Sequence, residues 1–290
     1  MKKIVLLSIT ALLAMAACSK VQQAPQADSD EIRFAVSHPS VLTKVTASSF
    51  EADDAISLYA VEYDGDTQMP LQVGGNFLNN EKIIYDGANW LPVRTLYWSS
   101  NDCDFYALYP YQGSIGSVEQ YPFSVAADQS GAGYVSSDLL YAMAVKASRA
   151  GGPVALNFKH LFSKLVVEIV EGPKFEGEIP NDIVSHIYNT NVDCFVNLTT
   201  GSVEKDGHGS KRTITMKKIS NHRFEAVVVP QNLEKKTPLV EITMGGIAYL
   251  LDYSLSFRPG YVHTVTLTLN TSPDQEQIEI SIDPGINNWN

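Results

Sequence analysis

Histidine is the residue type here best suited to acid–base and metal chemistry, and the chain contains six: His38, His160, His186, His208, His222 and His263. None of them forms an HxH or HExxH motif, the short spacings that bring two imidazoles to one zinc ion. His160 lies between apolar residues in the segment 158–162, which predicts a hydrogen-bonded structural histidine. The histidine spacing therefore predicts no metal site.

Other catalytic motifs are also missing from the sequence. It has no G-x-S-x-G nucleophile elbow and neither of the glycine-rich phosphate-binding motifs. The acidic pairs Asp53/Asp54, Asp64/Asp66 and Asp102/Asp104 are candidates for calcium binding, but aspartates in turns bond their own backbone without a metal. Paired carboxylates for glycoside hydrolysis come together only in the fold. We predict a protein that is not an enzyme and has no cofactor or metal.

Aromatic residues crowd one short region of the chain, at Trp90, Tyr97, Trp98, Phe105, Tyr106, Tyr109 and Tyr111. Exposed aromatic side chains could stack on sugar rings, as in a surface glycan-binding lipoprotein of a sugar-uptake system. Aromatic residues that alternate along strands more often belong to the core. We favour the core, and burial of Trp90 and Trp98 would count against the glycan-binding interpretation.

Composition excludes one class of partner. The chain has 290 residues, of which 44% are hydrophobic, and a net charge of −11. Hydrophobic content at this level is enough for sizeable cores, while nucleic-acid binding requires a basic surface. Cys103 and Cys194 are predicted to be buried thiols, although a disulfide is compatible with export.

The N-terminus has the parts of a secretory signal. Lys2 and Lys3 precede an apolar run over residues 4–17, and Met15-Ala16-Ala17 leads into Cys18. About 20 residues are needed to span a membrane, so a cleaved signal peptide over residues 1–17 fits better. Small residues before a cysteine resemble a bacterial lipobox. We predict that acyl chains such as palmitate on Cys18 anchor the protein, because several chains together hold stably.

Short strands are indicated almost throughout the rest of the chain. Residues 18–30 are polar and predict a flexible tether. Beyond them, short apolar and β-branched runs separated by turn residues predict an all-β protein. The predicted strands include 32–36, 55–63, 95–98, 165–170, 224–229 and 261–269, and residues 86–89 are predicted to form a hairpin turn. The segment 146–153 has linker composition. We therefore predict an N-terminal β-sandwich domain over residues 31–147 and a C-terminal β-sandwich domain with a terminal strand over residues 153–290.

Several segments, in their order along the chain, resemble the fimbrillin family, the subunits and accessory proteins of type V pili. They are FEADDAISLYA at 50–60, YDGANW at 85–90, DFYALYPY at 104–111, SDLLYA at 137–142, LNFKHLFSKL at 156–165, VPQ at 229–231, and NNW at 287–289. The resemblance implies two transthyretin-like β-sandwich domains in tandem. It also implies a structural or accessory subunit of a fimbrium on the outer membrane that supports adhesion.

The resemblance further implies assembly by strand exchange. In the family, a protease removes the lipidated N-terminal segment with the first strand, commonly after an Arg. Lys44 stands at that place in this sequence, and Arg33 is the nearest Arg. Cleavage at Arg33 would spare most of the first strand. Cleavage by a lysine- or trypsin-like protease, and an uncleaved anchor or accessory subunit, both remain open.

The partners implied are other fimbrial subunits, the outer membrane through the lipid, and a host glycan or protein as adhesive target. The segment from Ile278 through Ile280 to Ile282 alternates apolar and polar residues, so its isoleucines would share one face of a strand. It is a candidate donor strand for a neighbouring subunit. The alternative is a terminal strand of its own domain.

Overall fold

Strands make up nearly all of the regular structure. The computed structural model describes residues 30–39, 49–270 and 280–289. Within these ranges, the helical segments are α1 (Ala132–Ser136) and one 3-10 turn at Arg149–Gly151. The predicted all-β class is confirmed.

Twenty-one strands follow one another along the described chain. They are β1 (Phe34–Ser37), β2 (Ala55–Asp64), β3 (Thr67–Gln68), β4 (Leu78–Tyr85), β5 (Trp90–Pro92), β6 (Cys103–Tyr109), β7 (Tyr121–Ser124), β8 (Leu140–Ala147), β9 (Val154–Asn157), β10 (Lys159–His160), β11 (Ser163–Glu171), β12 (Val184–Asn191), β13 (Asp193–Asn197), β14 (Ser202–Lys205), β15 (Lys211–Thr215), β16 (Lys217–Ser220), β17 (Arg223–Val228), β18 (Asn232–Met244), β19 (Ile247–Ser256), β20 (Tyr261–Leu269) and β21 (Ile280–Asn288).

A seven-stranded sheet has the order β10-β8-β6-β2-β4-β5, with β3 joined to β2, and its strand β2 is buried on both faces over residues 56–61. On β2, Ile56 and Leu58 point to one hydrophobic core, whereas Tyr59 and Val61 point to another. A strand buried on both sides needs apolar residues at consecutive positions. This explains why β2 reads as a nearly continuous apolar run.

The two cores differ in the parts of the chain that build them. The first core lies on one face of the seven-stranded sheet and takes its buried residues from between Ile32 and Phe158. The second core lies on the other face and includes residues from Tyr59 to Trp289. The seven-stranded sheet therefore supports both cores at once.

The remaining strands form four smaller sheets. β1 and β9 make a parallel pair, and three further sheets have the orders β16-β17-β11-β20-β21, β15-β12-β18-β19 and β14-β13-β7. Glu31–Asn290 form one compact unit. β9 and β10, which follow the segment 146–153, pair with β1 and β8. The division into sandwiches at 31–147 and 153–290 stays a prediction.

Two local predictions have opposite outcomes. The turn at residues 86–89 joins β4 to β5 as expected, with the Asp86 carboxylate accepting the Asn89 amide at 2.6 Å and Gly87 at a φ of 94°. The strand expected at residues 95–98 is wrong. Among the described residues, that segment forms an isolated bridge from Tyr97 to Glu31 and no continuous strand.

Candidate assembly interface

β1 is a short strand whose only strand partner within the described ranges is β9. The two run parallel, with Phe34 opposite Val154 and Val36 opposite Leu156. Beyond the strand's N-terminal end, the Ile32 amide donates to the Leu96 carbonyl at 2.8 Å. β1 therefore lies at a sheet edge and could leave by breaking few main-chain hydrogen bonds.

Alternate side chains of this segment enter the first core. Ile32 is buried with 1% of its surface exposed, and the half-buried Phe34 and Val36 pack against the same core. The rings of Phe34 and Phe105 meet edge to face, with centroids 6.3 Å apart. Arg33 and Ala35 point outward. The segment thus covers the first core with three apolar side chains at every second position.

The two candidate processing residues lie on either side of β1. Arg33 immediately precedes the strand, and its carbonyl accepts the Val154 amide at 2.8 Å. A cut after Arg33 would release Ile32 but leave Phe34 and Val36 in place. Lys44 lies outside the described residues, and a cut there would release the whole strand. Cys18 also lies outside the described residues.

The candidate donor segment pairs within its own chain in this structure. β21 runs antiparallel to β20 over its full length, with Ile280 opposite Leu269 and Ile282 opposite Leu267. It forms one edge of the five-stranded sheet. Ile278 lies outside the described residues. The donor role of this segment stays a prediction.

The C-terminal end of β21 is fixed by Trp289. This side chain exposes 2% of its surface, and its amide donates to the Gly260 carbonyl at 2.8 Å. The indole stacks on the imidazole of His160, with ring centroids 3.7 Å apart and planes at 11°. The Lys164 ammonium lies 4.5 Å from the indole centroid, within the range of a cation–π interaction.

Both residues that hold Trp289 have acidic partners. His160 Nδ1 lies 2.8 Å from Asp138 Oδ1, in agreement with the predicted hydrogen-bonded histidine. Lys164 Nζ lies 3.5 Å from Glu225 Oε2, and the same carboxylate accepts the Tyr134 hydroxyl at 2.7 Å. Burial, reinforced by the Glu225 charge, raises the pKa of Tyr134. A buried polar network therefore surrounds the end of the chain.

The aromatic cluster belongs mainly to the core. Trp90 exposes 7% of its surface and stacks on Tyr85 with centroids 5.2 Å apart. The half-buried Trp98 packs edge to face on Phe105, while Tyr97 is the exposed member. A sugar platform needs several exposed rings side by side, so the burial of Trp90 counts against glycan binding.

The remaining reactive groups have structural roles. Cys103 and Cys194 are buried and unpaired, as predicted, and burial raises the pKa of each thiol to about 12. Among the described residues, no cluster of His, Cys, Asp or Glu could hold a metal, and no helix is long and apolar enough to cross a membrane. Asp54 accepts the Tyr109 hydroxyl at 2.9 Å, so this member of the acidic pairs bonds within the fold.

The fold and the edge strands define a class: an all-β protein with two cores joined by one sheet. The structure is similar to that of a protein from Bacteroides uniformis described as a candidate for cell adhesion, with a TM-score of 0.68 and 20% identity over 90% of this chain and 100% of that one. A protein from Bacteroides ovatus with the same description matches with a TM-score of 0.67 and 19% identity over 90% and 97% of the chains.

A fimbrial protein from Bacteroides vulgatus has a TM-score of 0.54 and 13% identity over 90% of this chain and 99% of that one. No protein with a curated description matches the sequence. The sequence model of the fimbrillin-like family matches residues 43–289. The chain belongs to the fimbrillin-like family.

Proposed function

We propose that this chain is a structural or accessory subunit of a type V fimbrium and has no enzymatic activity. It reaches the outer membrane as a lipoprotein anchored through Cys18 and supports adhesion once it is part of the fimbrium. Membership of the fimbrillin-like family supports the class of function. The observation that carries the proposal is β1, which pairs with β9 alone among the described strands and whose apolar side chains cover the first core.

Strand exchange is the assembly step that this geometry favours. Removal of β1 would expose the amide of Val154 in β9 and the amide of Phe158 directly after it, which now donate to the Arg33 and Ser37 carbonyls. It would also open the positions that Ile32, Phe34 and Val36 fill. An extended segment from a neighbouring subunit, apolar at every second residue, would restore both sets of contacts. Main-chain hydrogen bonds supply affinity in such β-augmentation, and alternate side chains supply specificity.

The processing site decides which kind of subunit this is. A cut after Lys44 removes the lipid and β1 together and produces a stalk subunit that accepts a donor strand. An uncleaved chain keeps both, and serves as an anchor or accessory subunit. Arg33 is the poorer site, because a cut there leaves the two core-facing residues of β1 in place.

The test is to shear fimbriae from cells that make the chain and to sequence the N-terminus of the copy found in them. A start at Val45 indicates a stalk subunit, and a blocked start at Cys18 indicates a retained anchor. Lys44→Ala should convert the first result into the second, whereas the matched control Arg33→Ala should change neither. Absence of the chain from purified fimbriae contradicts the proposal.

A further inference from the structure

We infer that Trp289 is a latch that holds the C-terminal strand β21 on its own subunit. The inference rests on the proposed function only where it concerns exchange between subunits. The latch itself concerns a single chain. In the sequence, Trp289 lies far from β1.

The strand end has one buried anchor. Residues 285–288 are all exposed, with Ile286 at 47% of its surface, whereas Trp289 is at 2%. β21 is also an edge strand, so β20 is its one strand partner in the described part of the chain. Among residues 285–289, Trp289 is therefore the side chain that contributes burial.

The site that receives the indole is held by groups outside β21. His160 is oriented by Asp138 at 2.8 Å, and Lys164 by Glu225 at 3.5 Å. Glu225 is in turn held by Tyr134 and by Arg223, whose Nη2 lies 2.9 Å from it. Because these contacts do not involve the indole, the cradle of His160 and Lys164 can persist when Trp289 leaves and can bind it again.

The two residues that contact the indole, His160 and Lys164, belong to different sheets. His160 lies in β10, an edge of the seven-stranded sheet, and Lys164 lies in β11 at the centre of the five-stranded sheet. The Gly260 carbonyl that accepts the Trp289 amide belongs to a residue whose own amide donates to the Phe162 carbonyl at 2.8 Å. Release of Trp289 thus frees β21 at the point where the chain passes between the two sheets.

Amide hydrogen exchange of the chain from residue 18 onward tests the latch. Trp289→Ala should speed exchange in β21 about a hundredfold, because loss of a buried aromatic ring strongly favours local opening, while β11 and β17 keep their rates. Trp289→Phe, which retains a smaller ring, should give an intermediate increase and covers the case in which the alanine variant does not fold. Ile286→Ala is the matched control on the same strand and should change the rate by less than about threefold.

Unchanged exchange of β21 in Trp289→Ala would overturn the latch. Equal loss of protection in β21, β11 and β17 would also overturn it, because Trp289 would then be a general core residue. The role of β21 in strand exchange between subunits is measured separately, by the polymerisation rate of a chain that begins at Val45. Faster opening of β21 with an unchanged polymerisation rate supports the latch and rejects β21 as the donor.

Discussion

Replacement of Ile32 by alanine tests whether the segment around β1 is part of the first core. Ile32 exposes 1% of its surface and belongs to the buried members of that core. The change removes three carbon groups, and burial of each stabilises the folded state by about 0.8 kcal/mol. The cavity that remains lowers the free energy of unfolding further. Because Ile32 lies at an edge where the chain can partly relax, we expect a loss of about 2–3 kcal/mol in the free energy of unfolding.

Urea unfolding of a purified chain that begins at Asp30, and therefore retains Ile32, measures this loss. The midpoint should fall by about 1 M with the slope unchanged, since the slope reports the surface exposed on unfolding. Ala35→Ser is the matched control, because Ala35 lies in the same segment with its side chain exposed. The control should stay within about 0.5 kcal/mol of the parent.

Equal midpoints for the Ile32 variant and the Ala35 control would contradict the burial of Ile32 in the first core. The segment would then contribute no burial to the first core, and its removal would open no groove for a donor strand. A fall in the slope together with the midpoint would mean that the variant has changed the compactness of one of the two states.

Three further predictions concern the buried groups. Glu225→Gln leaves the buried Lys164 and the half-buried Arg223 without the negative charge that pairs with them and should cost about 3 kcal/mol in urea unfolding, whereas the more exposed Glu168→Gln should cost under about 1 kcal/mol. Trp90→Ala should lower stability by about 3 kcal/mol and leave retention on polysaccharide affinity gels unchanged. With burial raising the pKa of Cys103 and Cys194 to about 12, both thiols stay protonated at pH 8, so native alkylation should be over about a hundredfold slower than in urea. Rapid native alkylation, or loss of gel binding in the Trp90 variant, would contradict these two assignments.

The strands that the sequence predicts well are those with strong alternation or dense β-branched content. β2, β11, β17 and β20 all lie close to their predicted positions. The sequence does not predict β12, because its residues, VSHIYNTN, are largely polar. This segment is a strand because it pairs with β15 and β18. Local pattern cannot supply a partner from a distant part of the chain.

The candidate site was only partly predictable for the same reason. The alternating segment at Ile32 and the structural role of His160 follow from local sequence. The Tyr134–Glu225 contact joins residues 91 positions apart, and no spacing rule links them. Trp289 belongs to the segment NNW that resembles the family. Its contact with Lys164 depends on the pairing of β21 with β20, which the local sequence does not reveal.

Polymerisation of the trimmed chain is the most direct test of assembly by strand exchange. A chain that begins at Val45 lacks β1, whereas a matched chain that begins at Asp30 retains it. If assembly is by strand exchange, the trimmed chain forms a ladder of oligomers resistant to cold detergent, and the chain that begins at Asp30 does not. Deletion of the residues after Asn270 should leave a folded monomer that cannot polymerise. A trimmed chain that remains a folded monomer at every concentration, or equal ladders from both chains, would contradict assembly by strand exchange.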